Sequence, residues 1–158
     1  MRRGEREQAP LGELRLQCPL RELIHVRMVL EEYIAAQACE NAADEEIEEL
    51  AALAQASRPA EDEVPKHEQR LDLHVEFRRK LTEMSHNGVA ETLTGPLLEI
   101  TRHFHLETEP TGSSETDEIR RELVQSLRKR KPEAAKHALP THFAALQARL
   151  LVSFPDSA

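Results

Sequence analysis

In PLRELIHVRMVLEEYIAAQACE, residues 19–40, the apolar positions Leu20, Leu23, Ile24, Leu30, Ile34 and Ala38 recur mainly three and four residues apart. This period gathers them on one side of an α-helix, whereas strand side chains alternate with period two. Pro19 suits a first helical turn, and NAAD closes the run.

Five further segments have the same period. ADEEIEELAALAQAS opens with an acidic first turn and repeats Ile47, Leu50 and Leu53 on one side. The third helix starts near Pro65 or Lys66 and carries Leu71, Phe77, Leu81 and Met84, with Asn87-Gly88 as its expected C-terminal signal. VAETLTGPLLEITRHFHLE is helical with an expected kink at Gly95-Pro96. TDEIRRELVQSLRKRK has a capped acidic start and a basic end. PEAAKHALPTHFAALQARLLVSF begins on Pro132 and should bend near Pro140. The acidic face of the second helix and the basic run Arg128 to Lys131 read as solvated surfaces.

Composition agrees: aromatics are 3% and Trp is absent, so little of the usual strand material is available. The expected fold is all-α, an antiparallel bundle of about six helices in one domain over residues 19–152, with 1–18 as a linker and 153–158 as a tail.

A net charge of −8 makes the whole chain a poor polyanion binder, so DNA would be reached only through a domain that this sequence does not contain. Cys18 and Cys39 lack metal-type spacing and lie about one helix apart, which fits a reducing cytoplasm better than a disulfide framework. No apolar run reaches membrane-spanning length, and the basic start lacks the apolar core of a signal peptide. No membrane partner is expected.

The informative residues are polar ones inside apolar arcs. On the first helix these are Arg27 and, one turn on, Glu31; on the third, His74 and Arg78. On the fifth it is Arg120, amid Ile119, Leu123, Val124 and Leu127, and on the sixth His142, amid Ala135, Ala138, Leu139 and Leu146. Burying an unpaired guanidinium costs several kcal/mol, so such residues pair with acids, bind anions or line wet cavities. Glu31 can serve Arg27 by i,i+4 spacing, but no equally placed acid is evident for Arg78 or Arg120. The expected ligand is a small anionic metabolite, a carboxylate or phosphate, gripped by the planar guanidinium forks.

Three stretches, ELIHVRMVLEEYIAAQAC, HVEFRRKLTEMSHN and RKRKPEAAKHALPTHF, carry a family likeness. From about Leu20 to Leu150 the chain resembles the FCD domain, the all-helical C-terminal effector-binding domain of the FadR branch of GntR transcription regulators. The resemblance implies a homodimer and, in the full regulator, a winged helix-turn-helix, for which residues 1–18 are too short. It also implies a divalent-metal site whose four ligand positions fall here on His74, Arg78, Arg120 and His142. Two are arginine, which cannot coordinate a cation, so no metal or other cofactor is expected.

Three alternatives stand beside this reading. One is an enzyme with His74 or His142 as general base, and another is a residual metal site using both with His103 or His105. The last is a ligand-free adaptor bundle whose arginines pair with acids.

Overall fold

The computed structural model describes residues 19–56, 66–107 and 114–154. The expected linker 1–18 with Cys18, the connection 57–65, most of the loop before the fifth helix and tail residues 155–158 lie outside them. The described residues form six helices, in the order α1 (Leu20–Asn41), α2 (Asp44–Ala56), α3 (His67–Met84), α4 (Gly88–Leu106), α5 (Ser114–Arg128) and α6 (Pro132–Ser153). There is no strand among the described residues.

Helices α1 and α6 pack along each other at the centre; α3 and α4 form an antiparallel pair on one side, with α5 against α6. The apolar arcs meet as one core: Leu20, Leu23, Ile24 and Ile34 from α1 join Phe77, Leu81 and Met84, Leu123 and Leu127, and Leu139, Phe143 and Leu146. Transfer of such side chains from water contributes roughly 1.5–3 kcal/mol each, and this holds together helices that would be marginal alone. Phe154, just past α6, stacks edge-on against Phe104 at 5.1 Å, so the packed unit reaches that residue.

Asn87 does not end the third helix. Instead α3 stops at Met84, His86 turns the chain with φ 52°, and the Asn87 side chain accepts from the N–H groups of Val89 and Ala90 at the start of α4. The Asn-Gly pair served as a start signal because Oδ1 satisfies two of the four free N–H groups of a helix N-terminus. Pro96 and Pro140 both lie within continuous helices.

The acidic face of α2 and the basic run after α5 are not merely solvated. Glu48 takes a two-pronged contact from Arg128 at 2.7 and 2.8 Å, and Lys80 reaches Glu49 at 2.5 Å. Arg130, at φ 51°, donates to the carbonyls of Ala42 (2.6 Å) and Cys39 (3.3 Å) and contacts Asp44 at 2.5 Å. It thereby occupies carbonyls that the end of α1 leaves without helical partners. No helix among the described residues is long and apolar enough to cross a membrane.

Candidate functional site

The period of each helix decides which polar side chains turn inward, and the packing of α1, α3, α5 and α6 decides that they meet. Arg27, Glu31 and Arg78 are each 2% exposed, His142 4% and Arg120 6%. His74 lies deep among its neighbours yet keeps some accessible surface.

Glu31 is the hub. Its Oε1 accepts from Arg27 Nη2 on the same helix, and its Oε2 lies 2.7 Å from Arg78 Nη1 on α3. The second contact is close enough for an ion pair but out of line for a hydrogen bond. Arg120 Nη1 lies 3.4 Å from Asp117 Oδ1, one turn earlier on α5.

The sequence reading that Arg78 and Arg120 lack an acid is therefore corrected. The acid for Arg78 comes from another helix, which i,i+4 spacing cannot reveal. The acid for Arg120 sits at i−3, a spacing that the sequence itself contains.

Arg120 Nη2 approaches His74 Nδ1 at 3.2 Å. A guanidinium has only donors, so Nδ1 accepts and the proton of a neutral His74 sits on Nε2. The His74 and His142 rings are 5.8 Å apart, tilted by 37°. Burial holds both imidazoles well below their ordinary value, and the charges of Arg78, Arg27 and, for His74, Arg120 add to it. Both are neutral at physiological pH.

Burial lowers Arg78 as well, against the pull of Glu31, and brings Arg120 to about 10, helped by the charge of Arg78. Arg120 is still a cation at neutral pH. The Phe77 ring lies 5.5 Å from the Arg120 guanidinium carbon and 6.0 Å from that of Arg78, while Phe143 lies 5.4 Å from that of Arg27. Aromatic faces partly replace lost water around a cation. Phe77 was expected only as core and Phe143 was not singled out, since nothing in the sequence marks a ring as facing a guanidinium.

His105, on the last turn of α4, is pushed down to about 3 by burial, then by Arg27 and Arg149. Its backbone carbonyl faces His67 Nε2 at 2.7 Å. His103 is partly exposed on the same turn.

The cluster thus contains three buried guanidiniums, two carboxylates and two neutral imidazoles. Arg27 Nε, Arg78 Nε and His142 Nε2 are buried with no hydrogen-bond partner among the described residues. Each such group costs about 1–3 kcal/mol unless something supplies the missing contact. Oxygen acceptors satisfy these arginine donors; a cation does not.

Among the described residues no group of three or more His, Cys, Asp or Glu side chains is placed to hold a metal. The four positions His74, Arg78, Arg120 and His142 do not fit a divalent ion, because two are permanently cationic. A surface groove of about 530 Å³ on the far side of α3 and α4 is lined by Asp72, Glu76, Arg79, Glu99 and Arg102. Its guanidiniums are already paired, Arg79 with Glu99 and Arg102 with Asp72, each at 2.6 Å, so the groove offers no anion site.

The FCD domain family model matches residues 22–145. Among solved structures, the fold is similar to Streptococcus agalactiae GntR, with a TM-score of 0.65 and 24% sequence identity over 90% of this chain and 62% of that chain. The chain therefore spans 62% of that structure's length, and the likeness is one of fold. No curated protein matches the sequence.

Proposed function

The chain belongs to the FCD domain family, and on that premise we propose that it is the effector-sensing domain of a GntR/FadR-type transcription regulator. The effector is a small anionic metabolite, a carboxylate or phosphate, bound in the bundle interior at a site lined by Arg27, Glu31, His74, Arg78, Arg120 and His142, where the arginines meet the anion and Glu31 is the carboxylate already paired with Arg27 and Arg78. The arginines take the place of the family's metal. The observation that carries this reading is the pair of buried donors without partners among the described residues, Arg27 Nε and Arg78 Nε, with His142 Nε2 also unpartnered beside them. An oxyanion supplies acceptors where the helices supply none, and a planar fork holds two oxygens at once.

Regulation requires that the effector contact two packings of the protein differently. The site draws on four helices, so an effector that tightens it changes how α1 and α6 sit against α3 and α5. The domain acts as a cytoplasmic homodimer and reaches DNA through a separate domain. Supporting the dimer, Val26, Val29 and Tyr33 on α1 and Val89 and Leu93 on α4 are exposed, and Asn87 donates to Tyr33 Oη at 2.9 Å where the two helices approach. An enzymatic reading has less support: imidazoles held far below neutral are weak bases at pH 7.

The test is a thermal-shift series with acetate, lactate, succinate, citrate and phosphate. A saturable rise in Tm for at least one anion, lost in Arg78→Ala and Arg120→Ala, is expected. No shift with any of them, or a shift that survives both substitutions, overturns the reading.

A further inference from the structure

This inference rests on the anion-binding reading above and concerns the residue that sets its threshold. Glu31 already places a carboxylate between two guanidiniums, Arg27 on its own helix and Arg78 across the interface at 2.7 Å. All three residues are 2% exposed, so water screens little of this charge. An effector's carboxylate in the same place would meet the same two forks.

The tethered carboxylate fills its place imperfectly. Its contact with Arg78 is out of line for a hydrogen bond, and both Nε–H groups are left over. A free carboxylate has no backbone tether and can align with two N–H groups of one fork.

We propose that Glu31 is an internal competitor that occupies the Arg27–Arg78 pair as a built-in anion, and that an effector's carboxylate displaces it from Arg78. Glu31 thereby determines specificity. A bare monoanion such as acetate is held off, while an effector with a further anchoring group, a second carboxylate or a hydroxyl, succeeds. Because Glu31 and Arg78 lie on different helices, the displacement also opens an α1–α3 link, giving the two packings different contacts with the ligand.

Titration calorimetry with acetate, lactate, succinate and phosphate, on the full chain and on Glu31→Gln, tests this. The variant should bind at least one of these anions roughly tenfold more tightly than the parent, with the largest relative gain for acetate. If the parent binds and Glu31→Gln binds equally or more weakly, the competitor is refuted while the anion site stands. If neither protein binds any of the four, both fail.

Glu31→Gln removes the counter-charge of two buried guanidiniums, so Glu31→Asp is measured beside it. The side chain, shorter by one methylene, keeps its charge but withdraws from Arg78, and a tightening of about threefold is expected. An affinity unchanged or weakened in Glu31→Asp refutes the competitor even where Glu31→Gln does not fold.

Discussion

Replacing Glu31 with Gln should destabilise the bundle far more than replacing Arg78 with Met, although each change breaks the same ion pair. At 2.7 Å and an effective dielectric constant of about 20, the Glu31–Arg78 attraction is about 6 kcal/mol before desolvation. Desolvation offsets part of it, and breaking a buried pair usually costs about 3–5 kcal/mol because the surviving charge is left alone. With both partners 2% exposed, no large discount for screening applies. Glu31→Gln strands two guanidiniums, Arg27 and Arg78, so its cost belongs at the upper end of that range, a fall in Tm of roughly 10 °C or more.

Arg78→Met leaves Glu31 with Arg27 and removes a charge that acts against Arg120, so its cost is about 1–2 kcal/mol. Urea unfolding with linear extrapolation measures both. The double variant, with one stranded guanidinium instead of two, should be more stable than Glu31→Gln alone. If Glu31→Gln costs no more than Arg78→Met, or the double variant is the least stable of the three, Glu31 is not the hub of the cluster.

Three further outcomes can be checked the same way. His74, His105 and His142 are each held below the ordinary histidine value of 6.5 in the fold, so their contribution is complete above pH 6.5 and is lost as the unfolded chain takes up protons below it. Stability should fall by up to about 1.4 kcal/mol per pH unit for each histidine, for His105 from pH 6.5 down to about 3, and His105→Gln should flatten the slope between pH 7 and 5.5. Asn87→Ala removes the acceptor for two N–H groups at the start of α4 and should cost about 1 kcal/mol in urea unfolding. Arg128→Ala breaks an exposed pair with Glu48 and should leave the urea midpoint nearly unchanged, whereas Arg130→Ala, which frees the carbonyls of Cys39 and Ala42, should lower it measurably.

The helices and inward-facing residues were legible because both follow from angular position on one helix. Arg27, Arg78, Arg120 and His142 fall within apolar arcs, and all four are buried together. What depends on contacts between helices was not legible: Glu31 reaching Arg78, or Arg120 reaching His74, requires the packing of both α3 and α5 on α1. Asn87-Gly88 was misread for a different reason. The pair serves equally well at the end of one helix or the start of the next, and only the bonds to Val89 and Ala90 decide between them.

The central claim is that an anion enters the interior and meets the arginines there. The direct measurement is an NMR titration of the arginine Nε–H signals with succinate and with phosphate. The Arg27 and Arg78 signals, assigned by substitution and without hydrogen-bond partners among the described residues, should move saturably and together with at least one of the two anions. Shifts confined to exposed arginines such as Arg79 and Arg128, with those of Arg27 and Arg78 unmoved by both anions, would contradict the account.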